Sequence, residues 1–271
     1  MAAKDQYSSD IIALIQSQGI DDHIASLRYA GIIQKALMPD PGYLKGLLKD
    51  HFVLFMPRDI VSGDFYYAFS NKQCLCIAAG DCTGHGVPGA LLSIMGISFL
   101  NEIMQAKCEP KANRILNLMR EKVMKALHQT DKGSVAKDSI DLGLCIIDTN
   151  TGKLQYSGAN RPLLMIREGE LTEYKADKMT IGLAPLIEQP FTNQVINTKP
   201  GDSFYMFSDG FADQFGEQTD KKFKHKHLKR VITSVYGMPM AKQRKVLENT
   251  FYDWKGKTQQ IDDVLVLGFQ I

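Results

Sequence analysis

Tryptophan occurs once and cysteine only five times in 271 residues, and the cysteines form neither a CxxC pair nor a His/Cys spacing of the zinc type. An odd, scattered set excludes a simple disulfide framework and a structural zinc site, and fits reduced thiols. A surplus of either charge is also missing: 32 Lys and Arg stand against 30 Asp and Glu, for a net charge of +2. Whole-chain electrostatics therefore give no reason to expect a nucleic-acid or membrane surface. No secretory hydrophobic region follows Met1-Ala2-Ala3-Lys4-Asp5, and the longest apolar stretch, near 88–100, carries Ser93 and Ser98 and stops at Asn101-Glu102. Nothing is expected to span a bilayer, and a cytoplasmic chain, or the cytoplasmic catalytic part of a larger sensor, is the expectation. Internal repeats and low-complexity segments are absent.

What is present is a 44% hydrophobic, 23% charged composition, enough for one large core with a short appendage. Residues 9–38 read as helix: Ile11, Ile12, Leu14 and Ile15 cluster, Gly19 interrupts, and Asp21 caps a second run through Ile24, Leu27, Ile33 and Leu37 that Pro39 and Pro41 close. Such a helix docks on its own domain or pairs with a second copy, and it would control activity by pressing on the 88–106 helix. The division expected is 1–45 as a helical linker or regulatory segment and 46–271 as a catalytic domain. From His51 the period switches to strands at 52–56, 64–70 and 73–79, with Asn71-Lys72 as a hairpin turn. Helices at 88–106 and 110–129 follow, then strands at 139–148, 153–158, 162–167 and 171–175 that read as one antiparallel meander. Strands near 191–197 and 202–207, helices at 222–236 and 239–252 and a last strand at 263–269 complete the chain. The fold class expected is α+β, a four-layer α-β-β-α sandwich of two antiparallel sheets flanked by helices, with an N-terminal helical extension.

Chemistry concentrates at strand ends. Gly80-Asp81-Cys82-Thr83-Gly84 runs into His85-Gly86-Val87-Pro88-Gly89, and Asp64, Asp209 and Asp262 stand in similar settings. A single Asp beside Gly is most often a turn residue. Four of them converging would repel one another by several kcal/mol at an effective dielectric of about 20, a cost that a dication offsets. Oxygen donors without a Cys or His pair favour Mg²⁺ or Mn²⁺, and water held by such ions attacks phosphate esters.

The strings PRDIVSGDFYY (57–67), GDCTGHGVPGALLSIMG (80–96), YSGANRPLLMI (156–166), GDSFYMFSDGFADQFG (201–216) and QIDDVLVLGF (260–269) occur in the order that resembles the stage II sporulation protein E-like branch of the metal-dependent type 2C (PPM) protein phosphatases. The resemblance covers about residues 25–271. It implies a serine/threonine phosphatase with two Mn²⁺ or Mg²⁺ ions, using direct attack by metal-activated water. Asp64, Asp81, Asp209 and Asp262 would be metal ligands with the backbone carbonyl of Cys82, and Asp81 and Asp209 the catalytic acids. Asp263 is the weaker alternative to Asp262. The family further implies a phosphorylated regulatory protein as substrate, an anti-sigma-factor antagonist being the model. The apolar spacing of the N-terminal helix itself allows a homodimer through that helix. Three residues depart from the pattern. His85 lies four residues past Asp81, where the eukaryotic branch has its candidate general-acid histidine after a single glycine, and reads as a turn histidine bonded to backbone, with a general acid as the functional alternative. Arg58 reads as a surface arginine, with a bidentate hold on a substrate phosphate as the functional alternative, and Tyr67 stands where many relatives carry an acid.

Lys221–Arg230 is the densest basic run and reads as a solvated helix face, with docking of an acidic partner as the functional alternative. Two other functions share parts of the pattern. A catalytically weak phosphoprotein-binding module would keep the fold without turnover, and a nuclease would need the basic track that this chain lacks.

Overall fold

The computed structural model describes residues 21–106, 111–129, 137–183 and 189–271. Helix α1 (21–37) leads to α2 (Pro41–Leu47), β1 (Asp50–Met56), β2 (Phe65–Ser70) and β3 (Cys74–Cys82). The helix pair α3 (Gly86–Gln105) and α4 (Ala112–Ala126) precedes β4 (Ile140–Asp148), β5 (Leu154–Ala159), β6 (Leu163–Arg167) and β7 (Glu170–Tyr174). Then come β8 (Gln194–Ile196), β9 (Ser203–Phe207), the single turn α5 (Gly210–Asp213), α6 (His225–Ser234), α7 (Met240–Lys255) and β10 (Val264–Gln270).

Two five-stranded antiparallel sheets result, ordered β1-β10-β9-β6-β7 and β2-β3-β4-β5-β8. Their apolar residues make three layers of contact, as a four-layer sandwich requires. One lies between the sheets, where Tyr156, Phe204 and Phe269 are fully buried and the two phenylalanines stack at 5.3 Å. In another, Ile115, Leu116, Met119 and Val123 of α4 and Ile97, Leu100 and Ile103 of α3 cover the second sheet. The third sets Leu228 and Ile232 of α6 and Leu247 and Phe251 of α7 on the first sheet. Strand β3 is buried along almost its whole length, which is why it reads as a near-continuous apolar run. Among the described residues α3 alone is long and apolar enough to cross a membrane, and here it is a core helix with Leu92, Ile97, Leu100, Ile103 and Met104 buried.

Two differences from the sequence reading have physical causes. Strands β5 and β6 do not continue one meander, because they lie in different sheets. Asn160 takes a left-handed φ of 55°, Arg161 N–H donates to the Ala159 carbonyl at 2.7 Å, and Pro162 brings no donor, so the chain leaves one sheet and enters the other. Alternating apolar residues look the same in both arrangements. Pro41 starts a helix instead of only ending one: the Asp40 carboxylate accepts from Gly42 N–H at 2.8 Å and Tyr43 N–H at 3.0 Å, with Pro41 in the first turn. The amino-terminal part of the expected 9–38 helix lies outside the described residues. Residues 21–37 are helical, and α1 docks on the domain through Gln34, which is buried and bonds Ser62 and Ser93. Its Tyr29, Ile32, Ile33 and Leu37 stay exposed.

Candidate metal centre

Antiparallel register brings strand ends from both sheets to one rim. Asp81 faces Asp141 across β3 and β4, and Phe65, which follows Asp64, pairs with Gly80. In the other sheet Phe207 pairs with Val266, so Ser208-Asp209 leave β9 where Asp262-Asp263 enter β10. The crossover Asn160-Arg161-Pro162 closes the same rim from the end of β5.

Glycine sets the closeness of these loops. The backbones around Gly63, Gly84 and Gly89 touch, and a Cβ on Gly89 would collide with the Gly84 carbonyl and the Gly63 Cα. Gly84 and Gly86 hold φ of +79° and +64°, a turn that side chains resist.

Asp64 is buried, and its carboxylate accepts from Ser208 Oγ at 2.6 Å. Burial pushes its carboxyl well above the usual range, and Asp81 adds to the push against the opposing Ser208 bond. Asp81 is pushed up to about 7 by burial, opposed by Arg161 and reinforced by Asp209, Asp262 and Asp141. Asp262 is raised by burial; a bond from the Asp263 N–H opposes this, and Asp209 adds to it. Asp263 differs from its neighbour. One oxygen accepts from Arg58 N–H and the other from Gly63 N–H, each at 2.7 Å, so this buried carboxylate clamps the loop before Asp64. Cys82 turns its thiol into the core, where burial first and Asp81 next hold it well above its usual value. Its N–H meets the Gly63 carbonyl at 3.3 Å.

The arrangement offers clustered carboxylate and carbonyl oxygens, the donor chemistry that suits Mg²⁺ or Mn²⁺. Yet among the described residues no three His, Cys, Asp or Glu side chains already converge tightly enough to hold a metal ion. A cation of the chain's own stands among them. Arg161 Nη2 lies 2.8 Å from Asp81 Oδ2, 2.8 Å from Asp209 Oδ2 and 3.3 Å from Asp141 Oδ2.

Arg161, Asp141, Ser208 and His225 were not legible as site residues, although Arg161 lies inside one of the recognised strings. His225 at the start of α6 packs on Phe207, and burial first and Arg161 second lower its pKa from the usual imidazole value. His85 is bonded to a side chain and not to backbone: its Nδ1 lies 2.9 Å from Asp59 Oδ2 at the start of α3. Arg58 is only partly exposed, and its Nη1 donates to the Ile261 carbonyl at 3.1 Å. Tyr67 points into the core and bonds Asn101 at 3.1 Å. The basic run is largely exposed, and Lys226, Lys229 and Arg230 line a groove of about 560 Å³ beside Leu171.

The family model described as stage II sporulation protein E (SpoIIE) matches residues 71–271. No curated protein matches the chain at a significant level. Among solved structures, the SiaA-PP2C domain of Pseudomonas aeruginosa is similar with a TM-score of 0.83 at 28% identity, over 93% of this chain and 98% of that one. The PP2C phosphatase domain and regulatory-domain fragment of SpoIIE from Bacillus subtilis gives 0.64 at 19% identity, over 82% of this chain and 63% of that one. The RsbU and RsbW domains of Rv1364c from Mycobacterium tuberculosis give 0.61 at 19%, over 82% and 59%.

Proposed function

The chain belongs to the stage II sporulation protein E family and has the fold of the PPM-type serine/threonine phosphatases, and from that premise we propose that it hydrolyses phosphoserine or phosphothreonine monoesters on a regulatory protein. The observation that carries the reading is the meeting of Asp64, Asp81, Asp209 and Asp262 at one rim, with Asp64, Asp81 and Asp262 all held above the ordinary carboxylate range. Acids so crowded favour a bound cation. Two Mn²⁺ or Mg²⁺ ions held there would supply a nucleophilic water near neutral pH and neutralise the phosphate during in-line attack.

The residues divide the work. Asp81 interacts with Asp64, Asp209 and Asp262. These four acids and the Cys82 carbonyl would hold the ions, with Ser208 fixing the Asp64 carboxylate. Asp263 keeps the Asp64 loop in place by accepting from Gly63 N–H. The four described cysteines are buried, and burial raises each thiol above its usual value, so none of them offers a thiolate for a phosphocysteine route.

The RsbU and RsbW domains and a structure described under the bacterial stressosome share the fold, which supports a phosphorylated anti-sigma-factor antagonist or a similar cytoplasmic regulator as substrate. The exposed Tyr29, Ile32, Ile33 and Leu37 of α1 support pairing with a second copy. The test is hydrolysis of p-nitrophenyl phosphate and of a phosphothreonine peptide with Mn²⁺, with EDTA, and by Asp81→Asn. Turnover should require Mn²⁺ and fall more than about 100-fold in the variant, beyond the loss typical for groups behind the ligands. Turnover that is absent, or indifferent to Asp81→Asn, would replace this reading with the phosphoprotein-binding module. Cleavage of bis-p-nitrophenyl phosphate in preference to the monoester would replace it with a diesterase.

A further inference from the structure

Arg161 is fixed at its backbone and poorly fixed at its head. Its N–H bonds the Ala159 carbonyl, and its own carbonyl accepts from Tyr156 Oη at 2.5 Å, so the crossover that carries it is braced from both sides. The guanidinium contacts are lopsided. One nitrogen, Nη2, faces Asp81, Asp209 and Asp141, three carboxylates against its two hydrogens, while Nε is buried with no hydrogen-bond partner. A guanidinium built as a permanent fork would engage carboxylate through two nitrogens in parallel. Arg167 does this elsewhere in the molecule, giving Nε and Nη2 to Asp202 at 2.7 and 2.6 Å.

Arg161 Nη2 lies against the same Asp81 and Asp209 oxygens that would hold an ion. Contacts of 2.8 Å suit a nitrogen donor, whereas Mg²⁺ requires oxygens at about 2.0–2.1 Å. We propose that Arg161 is the resident counter-cation of the carboxylate centre, so that loading an ion between Asp81 and Asp209 is an exchange in which the guanidinium leaves. The inference rests on the reading of the rim as a divalent-cation centre. It follows that Arg161 has opposite effects on the two states: it holds the metal-free rim together and weakens ion binding by competing for the same oxygens. A phosphate ligand alone, or a purely structural arginine, would not produce that pair of effects.

The experiment is calorimetric titration of Mn²⁺ into the EDTA-stripped full chain and its Arg161→Gln, Arg161→Met and Arg161→Lys variants, with thermal unfolding of each in EDTA and in Mn²⁺. Arg161→Gln and Arg161→Met should bind Mn²⁺ about tenfold more tightly than wild type, the ratio expected when about 1.4 kcal/mol of competition is removed. Both should unfold at lower temperature than wild type in EDTA, with the difference closing in saturating Mn²⁺. Arg161→Lys should stay near wild type in affinity. Unchanged or weaker Mn²⁺ binding by both neutral variants would overturn the exchange while leaving the metal centre standing. Failure of the wild type itself to bind Mn²⁺ would overturn both.

Discussion

Asp64 and Asp202 are equally hidden, at 2% and 1% exposure, yet they sit at opposite rims of the sandwich in opposite electrostatic states. Asp202 receives Arg167 through two nitrogens and the Lys199 N–H at 2.7 Å, and these bonds outweigh burial and hold its carboxyl below the usual range. Asp64 has one hydroxyl donor and three acidic neighbours, and it is held well above that range. Burial is common to both. The partner set separates them: a carboxylate whose lone pairs are satisfied by the chain serves the fold, and one left short of donors among like charges is poised for a cation from outside. The same test sorts the adjacent pair Asp262 and Asp263, of which the second has both oxygens taken by backbone N–H groups.

Exchanging one acid at each rim should break the comparison in opposite directions. Asp64→Asn removes a buried charge that the metal-free fold does not compensate, so its melting temperature in EDTA should rise, while Mn²⁺-dependent turnover falls more than about 100-fold. Asp202→Asn should do the reverse: a lower midpoint in denaturant unfolding, with turnover per folded molecule retained. A fall in EDTA stability for Asp64→Asn would show that its charge is structurally satisfied after all.

The neighbouring acids sharpen the contrast at smaller scale. Asp262→Asn should weaken Mn²⁺ binding measured by calorimetry with little change in stability. Asp263→Asn sets an amide donor against N–H groups and should cost about 1–3 kcal/mol in unfolding, with ion affinity changed less than in Asp262→Asn.

A further effect is expected from pH. The folded-state pKa of Asp81 lies near 7, above an unfolded value of about 3.9. The metal-free protein should therefore have this contribution in full below about pH 4 and lose it as pH rises through about 7. Saturating Mn²⁺ should reverse the trend, because ions require the ionised acids. Thermal melts in EDTA and in Mn²⁺ between these limits check the sign.

How much of this was readable beforehand follows from what each signal depends on. Asp64, Asp81, Asp209 and Asp262 each end or begin an apolar run beside glycine or a second acid, so local pattern exposes them. Asp141 matters because register sets it opposite Asp81, and register is a property of two strands at once. Arg161 matters because the chain changes sheets at Asn160, and apolar alternation reads the same whether two strands share a sheet or face each other across a core. The helix α2 went unread because Asp-Pro marks both a stop for one helix and a cap for the next.

The central claim is that the acids of one rim are a divalent-cation centre, and the most direct measurement is anomalous diffraction from crystals of the wild-type chain grown with manganese. The account predicts manganese within about 2.5 Å of Asp81 oxygens, with Asp64, Asp209 and Asp262 completing the ligand set and Arg161 moved from between Asp81 and Asp209. Crystals of a chain that turns over phosphate with Mn²⁺, yet hold no manganese among these four acids, would contradict it.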